Sequence, residues 1–396
     1  MDKNTRVCFV VQRYGLEVNG GAELLCRQFA ERMKDYCDNI TIVTTKAIDY
    51  MTWKNEYHKS EEDINGVHVI RFPVNHPRHQ YDFINYNNKF NQYGLTESEE
   101  YIWLEKQGPY CPLLINYLKD HKDDYDIFIF NTYLYYPTVL GIPEVAGKAI
   151  CIPDAHDEPY LKMKIFNNVF LKSDAFFFNT EEERKLIHSK YHNENIPSDL
   201  GGVGIELPDE IKPERFKGKY GIDNFIVYVG RIDQAKGCGK LFKYFTEYKK
   251  RNPGDLKLVL MGKPAMDIPD NPDIVSLGFV SDEDKFDGIA AAKILVLPSQ
   301  FESLSIVVLE AMAVKTNVMV NAQCPVLKGH CIKSNGAFYY NNFFEFEAMI
   351  NYLFTHPEEA QAMKENAWKY VQDNYQWPII MNKLCNLIDT VRAKHR

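Results

Sequence analysis

Two cations stand close together in a loop between an apolar run and a helical pattern. The run 225–229 predicts a buried strand, Arg231 follows directly after Gly230, and Lys236 comes five residues later, just before the predicted helix. Cations beside a helix N-terminus suit a diphosphate, because the unpaired helix N–H groups also attract anions. At ~4 Å a cation–phosphate pair contributes about 4 kcal/mol at an effective dielectric constant of 20, before desolvation. The alternative is a solvated turn with two surface charges.

Two carboxylates stand eight positions apart in the segment 297–313. Glu302 precedes a predicted helix that has Ser303 or Ser305 as its N-cap, and Glu310 lies well inside that helix. Glu302 would face one end of a sugar–diphosphate–ribose chain, whereas Glu310 could accept both ribose hydroxyls. Glu302 could instead be a surface residue, but Glu310 in an apolar stretch needs a partner. The amides that would face the phosphates are those of Ser303, Leu304, Ser305 and Ile306.

Two further loops follow predicted strands in the first half of the chain. Gly20 and Gly21 separate the first strand from the first helix, and a glycine pair lets a ligand approach the backbone closely. This is not a G-x-G-x-x-G fingerprint, and Glu23 could simply be an acid in the first helical turn. His156 lies in an acidic loop after the strand 148–152, where it could orient a substrate hydroxyl or transfer a proton. A structural histidine is the alternative.

A metal site is not predicted. Asp124 and Asp126 form a D-x-D pattern, but they precede the strand 125–130 or stand at its start, so they point away from the carboxyl ends of the strands. The acids at 282–284 fit the start of a helix. The nine cysteines are scattered without zinc spacing, which is typical of small buried residues in a reducing compartment.

Composition narrows the class of protein. The 396 residues are 45% hydrophobic and 25% charged, with a net charge of −8, as expected of a globular chain with two or three domains. A net-acidic chain without a basic block argues against sequence-independent nucleic-acid binding. No apolar stretch approaches 18 residues. We therefore expect a cytoplasmic protein, with peripheral membrane contact left open.

Short apolar runs alternate with helical patterns along the chain, which predicts parallel sheets covered by helices on both faces. The alternation occurs twice, and the Gly- and Pro-rich stretch 201–208 is the predicted boundary. The expected architecture is two Rossmann-like, doubly wound α/β domains, 1–204 and 205–376, that face each other across a cleft. Ligands bind at the carboxyl ends of such strands, where the polar loops fall.

Taken together, these motifs resemble retaining GT-B glycosyltransferases, in particular glycosyltransferase family 4. The matching segments occur in the family's order and are 19–23, 156–158, 179–183, 202–205, 230–237, 277–280 and 302–313. The resemblance implies the GT-B fold and a C-terminal helix, 377–396, that crosses back to the first domain. The segment 55–110 matches no motif of the family, and its part 81–110 is rich in Tyr, Asn and Phe. It is expected on the acceptor side, where these residues could stack on carbohydrate or simply pack a loop.

The resemblance also implies a role for each candidate residue of the second half. Arg231 and Lys236 hold the donor diphosphate, Glu310 binds the ribose, and Glu302 contacts the donor sugar near the reacting carbon. Ser303-Leu304-Ser305 stands where the family often has Gly-Phe-Gly. This change retains the backbone amides, but it puts hydroxyls beside the sugar.

The remaining candidates complete the donor site. The loop of Gly20 and Gly21 is expected to close over phosphate and sugar, and His156 to line the sugar site. The nucleotide base is expected to be recognised largely by backbone, around Gly262-Lys263-Pro264 and Phe279. We therefore predict Glu302, His156, Arg231 and Lys236 as the catalytic group.

The expected function is that of a retaining, metal-independent hexosyltransferase in polysaccharide biosynthesis. It takes no cofactor and uses a UDP-, GDP- or ADP-sugar as donor and a glycan or lipid-linked saccharide as acceptor. The alternative is a GT-B epimerase or phosphorylase. An NAD-dependent oxidoreductase lacks its fingerprint here, and a non-catalytic sugar-binding protein is disfavoured because all four charged candidates of the second half are present.

Overall fold

The computed structural model describes residues 1–18 and 20–394, so Asn19 of the predicted glycine loop lies outside the described residues. The chain forms two compact units. We call Met1–Gly202 with Ile380–Arg396 the N-terminal unit, and Val203–Ile379 the C-terminal unit. The predicted boundary after 204 lies two residues away, and the predicted return at 377 lies three residues away.

The N-terminal unit contains one eight-stranded sheet in the order β3-β4-β2-β1-β5-β6-β7-β8. All neighbouring strands are parallel except the edge pair β3 and β4. The strands are β1 (Arg6–Val10), β2 (Asn39–Thr45), β3 (Glu61–Ile64), β4 (Val67–Phe72), β5 (Ile127–Asn131), β6 (Ala149–Ile152), β7 (Ala175–Phe178) and β8 (Ser198–Leu200).

Burial along these strands follows their position in the sheet. Every residue of β5, β6 and β7 is buried, as expected of central parallel strands with helices on both faces. β4 lies next to the edge, and its residues alternate between buried and half-buried. The helices of this unit are α1 (Gly21–Met33), α2 (Gln80–Tyr93), α3 (Glu97–Gln107), α4 (Pro112–Asp120), α5 (Tyr136–Glu144), α6 (Asn167–Phe170) and α7 (Glu181–Tyr191).

The C-terminal unit contains a six-stranded, all-parallel sheet in the order β11-β10-β9-β12-β13-β14. Its strands are β9 (Phe225–Val229), β10 (Lys257–Met261), β11 (Ile274–Gly278), β12 (Ile294–Leu297), β13 (Asn317–Asn321) and β14 (Phe338–Tyr340). Its helices are α8 (Pro213–Tyr220), α9 (Cys238–Arg251), α10 (Asp282–Ala291), α11 (Ile306–Ala313), α12 (Pro325–Ser334), α13 (Phe343–Thr355) and α14 (Pro357–Asn374).

The last helix, α15 (Trp377–Lys394), starts in the C-terminal unit and continues into the N-terminal unit. The segment 55–110, which matched no motif of the family, contains the two helices α2 and α3, and α2 has no buried residue. All nine cysteines are buried and unpaired. Within residues 1–18 and 20–394, no helix is both long and apolar enough to cross a membrane.

Candidate functional site

In the C-terminal unit, the loops after β9 and β10 meet at the carboxyl edge of the sheet. The amide of Gly230 donates to the carbonyl of Met261, and Ile232 pairs with Pro264 in an isolated bridge. A Cβ at Gly262 would lie 1.8 Å from the carbonyl oxygen of Gly230, and its φ is 153°. Only glycine allows this close approach, so Gly262 is required by the geometry of the loops.

Lys236 and Glu302 form an ion pair between the loops after β9 and β12. The distance from Lys236 Nζ to Glu302 Oε1 is 2.8 Å, and the two side chains are 33% and 13% exposed. The loops pack closely here, since a Cβ at Gly237 would lie 2.5 Å from the carbonyl oxygen of Pro298. The structure thus brings together two predicted site residues that are 66 positions apart in the chain.

Arg231 is more exposed and is held by its neighbour Asp233. The Arg231 Nε contacts Asp233 Oδ2, while Asp233 Oδ1 accepts the backbone amide of Lys236 at 2.7 Å. Burial raises the pKa of the Asp233 carboxyl, but the Lys236 amide and the Arg231 guanidinium outweigh burial and hold that pKa below its ordinary value. Asp233 therefore stays ionised and orders the loop that carries both cations.

The segment before α11 has a strained conformation. Ser305 occupies the N-cap position, but its φ is 67°, in the left-handed region that is costly for a side chain with a Cβ. Its buried hydroxyl has no hydrogen-bond partner among the described residues, so the predicted side-chain cap does not form. The helix α11 begins at Ile306. The amides of Ser303 and Leu304 precede this N-terminus in the chain.

The buried His330 supports the segment before α11 through a hydrogen bond to its backbone. His330 of α12 donates from Nε2 to the carbonyl oxygen of Leu304 at 2.8 Å, and its Nδ1 lies 3.1 Å from the Tyr370 hydroxyl. Burial lowers the pKa of His330 to about 4, so the imidazole is neutral near pH 7. A carbonyl can only accept, which places the proton on Nε2 and makes Tyr370 the donor to Nδ1.

Glu310 also has a cationic partner. It lies on α11 and accepts from Lys285 Nζ of α10 at 2.9 Å, with side-chain exposures of 13% for Glu310 and 21% for Lys285. This supplies the partner that an acid in an apolar helix requires. Phe279 follows β11 and is 89% exposed. The adjacent carbonyl of Gly278 accepts the amide of Gly262 at 2.7 Å, so the two predicted base contacts lie in neighbouring loops.

In the N-terminal unit, the predicted glycine loop stands beside a buried ion pair. Gly21 begins α1, and a Cβ there would meet no atom within 4 Å, whereas a Cβ at Gly20 would collide with Glu23. Glu23 is 6% exposed, and its Oε1 lies 2.6 Å from Arg13 Nη2 and accepts from Gln12 at 2.8 Å. The interpretation of Glu23 as only an acid in the first helical turn is therefore wrong.

His156 lies after β6 in the same unit. Its Nε2 is 3.7 Å from Glu158 Oε2, and Glu158 Oε1 accepts a short hydrogen bond from the buried Tyr133 hydroxyl. The structure thus places the predicted His156 beside an acidic side chain, in the loop that follows β6.

Two carboxyl groups lie near His156: Asp154 is half-buried, and Glu183 is buried. Asp154 has a φ of 53° and accepts from the amide side chain of Asn179, whereas Glu183 accepts the backbone amides of Ala155 at 2.6 Å and Asn179 at 2.7 Å. Burial raises the pKa of Asp154 to about 6. Burial, and then the neighbouring Asp154 charge, raise the pKa of Glu183 to about 8.

Sequence reasoning assigned no role to Lys285, His330 or Arg13. Each acts through a partner distant in sequence or on another element, and no short motif signals such a partner. Asp126, from the D-x-D pattern, pairs with Arg6 at the amino end of β1, on the side predicted. Among residues 1–18 and 20–394, no three His, Cys, Asp or Glu side chains are grouped as a metal site would require.

The fold matches known structures of the GT-B class. Sucrose-phosphate synthase from Thermosynechococcus elongatus superposes with a TM-score of 0.69 at 14% identity, over 99% of this chain and 100% of that chain. HepE from Anabaena, in complex with UDP and glucose, gives a TM-score of 0.68 at 14% identity, over 98% and 100%. At these identities the likeness shows the GT-B fold.

The family match is confined to the C-terminal unit. Residues 210–370 match the model of Glycosyl transferases group 1. An uncharacterized glycosyltransferase of Methanocaldococcus jannaschii is 25% identical over 221 residues, which are 53% of this chain and 55% of that protein. The chain spans about half the length of the curated relatives it matches. The C-terminal unit is therefore similar to the group 1 glycosyltransferase domain.

Proposed function

We propose that the protein is a retaining hexosyltransferase, which moves a sugar from a nucleoside diphosphate sugar to a hydroxyl of a glycan or lipid-linked saccharide without a metal ion. The observation that carries the proposal is the ion pair of Lys236 and Glu302, which stands before the N-terminus of α11 inside the group 1 match. A cation, a carboxylate and helix amides at one point suit a bond between a sugar and a phosphate.

Breaking that bond leaves negative charge on the diphosphate and positive character on the sugar. Lys236, Arg231 and the amides at the start of α11 would stabilise the phosphate charge as it develops. Glu302 would face the sugar, where a carboxylate favours the positive character of the reacting carbon. Lys236 and Glu302 already hold each other in position through their contact. The negative charge of the phosphate and the positive charge of the sugar would therefore develop beside a cation and a carboxylate that are already oriented.

The nucleoside would be held further along α11. We assign the ribose to Glu310 and the base to the loops of Gly262 and Phe279. HepE is described in complex with UDP and glucose, which supports a UDP-sugar as the first donor to test, followed by GDP- and ADP-sugars.

Retention follows if the acceptor attacks the face of the sugar that the phosphate leaves. In that arrangement the departing phosphate accepts the acceptor's proton, so no protein nucleophile is required. His156 would orient a sugar hydroxyl, and the loop of Gly20 and Gly21 would close over phosphate and sugar. The acceptor class, a role in polysaccharide biosynthesis and a cytoplasmic, membrane-peripheral location rest on the family resemblance.

The test begins with binding and ends with product analysis. Thermal unfolding is followed with UDP-, GDP- and ADP-glucose, and we expect one nucleotide to raise the melting temperature. The stabilising donor is then incubated with an acceptor panel, with and without EDTA, and the anomeric configuration is read by NMR. Transfer with retention in EDTA supports the proposal. An epimerised donor or phosphate dependence favours the epimerase or phosphorylase, and no stabilisation by any donor contradicts the proposal.

A further inference from the structure

A half-buried arginine in the N-terminal unit forms no ion pair with any acidic side chain that the structure describes. Arg78 lies between β4 and α2, donates from Nε to the carbonyl oxygen of Gln107 at 3.0 Å, and from Nη2 to Gln107 Oε1 at 3.2 Å. Within the part of the chain that the structure describes, its Nη1 makes no hydrogen bond and no carboxylate lies within 4.0 Å of the guanidinium. Burial lowers the pKa of Arg78 to about 10, which reports the cost of desolvating the charge.

The surroundings of Arg78 are aromatic. Its guanidinium lies 5.1 Å from the ring centre of Trp53 and 4.8 Å from that of Phe83. Trp53 is almost completely buried, donates from Nε1 to the same Gln107 carbonyl at 2.8 Å, and has a φ of 53°. A bulky residue in the left-handed region costs about 1–3 kcal/mol, and such strain is concentrated at functional sites.

A second arginine on Trp53 provides an internal comparison. The guanidinium of Arg13 lies 5.9 Å from the ring centre of Trp53 and is paired with Glu23 at 2.6 Å. Arg78 faces the same indole but has no equivalent of Glu23. Buried charges in folded proteins are normally paired, and an aromatic face replaces only part of the lost hydration. The two arginines therefore differ in direct pairing: Arg13 contacts a carboxylate, whereas among the described residues Arg78 contacts none and Asp49 acts on it only from a longer distance.

We propose that Arg78 binds an anionic group, a phosphate or a carboxylate, on the acceptor saccharide. The description of this ligand as the acceptor rests on the proposed function. An anion at Nη1 would supply the missing counter-charge through the planar donor fork that suits phosphate and carboxylate groups. Tyr50, which is 44% exposed and faces Arg13 at 5.4 Å, offers an aromatic surface for the sugar ring.

The position of Arg78, Trp53 and Tyr50 fits a site for the acceptor saccharide. The backbone amide of Arg78 donates to the carbonyl of Thr52 at 2.7 Å, which ties it to the loop of Tyr50. Arg13, the second arginine at Trp53, extends to the glycine loop, since its Nη2 would lie 2.9 Å from a Cβ at Gly20, in the loop expected to close over the donor. The cations assigned to the donor diphosphate, Arg231 and Lys236, belong to the C-terminal unit.

Binding without turnover tests this proposal on the full chain. Calorimetry measures the affinities for glucose 6-phosphate, glucuronic acid and glucose, with UDP titrated separately. We expect the wild type to bind at least one anionic hexose about tenfold or more tightly than glucose. Arg78→Gln abolishes that preference and leaves UDP affinity unchanged. Arg6→Gln is the matched control, because it removes a paired guanidinium at the amino end of β1 and retains the preference.

Each other outcome overturns the proposal. Equal binding of glucose and both anionic hexoses by the wild type shows that no anion site exists. A preference that survives Arg78→Gln places the anion elsewhere, and a loss of UDP affinity instead assigns Arg78 to the donor. If Arg78→Gln does not fold, Arg78→Lys decides, because it retains charge without the fork and must weaken anionic binding severalfold. Absence of UDP binding by the wild type would count against the proposed function and leaves the anion measurement interpretable.

Discussion

The carboxyl edges of the two sheets hold their charges differently. At the edge of the C-terminal unit, cations and acids form contacts that water reaches in part, and the pairs are Lys236 with Glu302, Arg231 with Asp233, and Lys285 with Glu310. At the edge of the N-terminal unit, Glu23 and Glu183 are buried, and Asp154 is half-buried with its Oδ2 atom shielded from solvent. Partly hydrated charges can exchange partners with a ligand, whereas enclosed carboxyl groups such as Glu183 accept backbone amides and hold the backbone in place.

The ion pairs at the edge of the C-terminal sheet change what is expected of the donor site. The sequence predicts that Arg231 and Lys236 bind the donor diphosphate, but in the structure each of them already contacts a carboxylate. A diphosphate must therefore compete with Glu302 and Asp233, or these acids must turn to other ligand groups such as sugar hydroxyls. Catalysis then depends on the pairs as much as on the cations.

The largest effect is expected from removing a phosphate-binding cation. Lys236→Ala and Arg231→Ala should each raise the barrier by ~3 kcal/mol, on the order of a hundredfold in kcat/KM, because charge that develops on the phosphate loses its partner. Steady-state kinetics with the donor identified by thermal shift provide the measurement.

A surface variant separates a local effect from a general loss of charge. Lys250→Ala removes an exposed lysine of α9 in the same unit and should leave kcat/KM unchanged. Near-wild-type turnover in both Lys236→Ala and Arg231→Ala would contradict the assignment of the phosphate site.

Glu310→Ala tests whether the third pair serves the nucleoside. Loss of a charged acceptor for two ribose hydroxyls should weaken nucleotide binding by about 2 kcal/mol, or roughly 30-fold in Kd. Lys285→Met removes only the partner of Glu310 and should have a smaller effect. Calorimetry with the nucleoside diphosphate measures both, and an unchanged affinity in Glu310→Ala would exclude the ribose role.

In the N-terminal unit, Asp154→Asn should act on stability. Burial raises the folded-state pKa of Asp154 to about 6, above its unfolded value, so the folded state holds the proton more tightly. Its stabilising contribution is complete below pH ~4 and is lost as the pH rises through 6. Asparagine removes this loss and tolerates the left-handed backbone.

Thermal unfolding of both proteins between pH 4 and pH 8 measures the effect. The melting temperature of the wild type should fall relative to that of Asp154→Asn over pH 4–6.5, and the difference should then stay constant. A constant difference over the whole range would show that Asp154 is ionised throughout, as at the hydrated edge of the other sheet.

The smallest effect is expected for Ser305→Gly. Glycine relieves the left-handed strain at φ 67°, and no hydrogen bond of the hydroxyl is lost, so the C-terminal unit should gain about 0.5–1 kcal/mol. His330→Phe removes the bond to Leu304 and should destabilise the segment. If His330 serves to hold that backbone, Ser305→Gly should recover part of the loss in the double variant, whereas additive effects would argue against this coupling.

Local patterns in the sequence were enough to predict two parallel sheets, but not all of their strands. The apolar run 225–229 predicts β9 at its observed bounds. The short strands β3, β8 and β14 were not predicted, because three or four residues carry too little periodicity. The helices α2 to α4 were missed, since their half-exposed Tyr and Asn residues obscure the apolar stripe.

The polar partners in the site follow from tertiary structure. Lys236 and Glu302 were predicted individually, but their contact depends on how two loops pack around Gly237 and Pro298. No sequence motif indicates Arg78. It stands out only in the folded chain, where it contacts Trp53 and Gln107 and, among the described residues, no carboxylate. A motif can indicate which residues bind a ligand, but it does not indicate which of them lack a counter-charge.

The helix α15 has a consequence for synthesis on the ribosome. Ile380, Leu384 and Ile388 are fully buried and belong to the N-terminal unit, yet they are translated after the whole C-terminal unit. Domains normally fold in the order in which they emerge. Here the unit that starts first must finish last, so a nascent chain halted before Ile380 would expose an apolar surface that the complete chain covers.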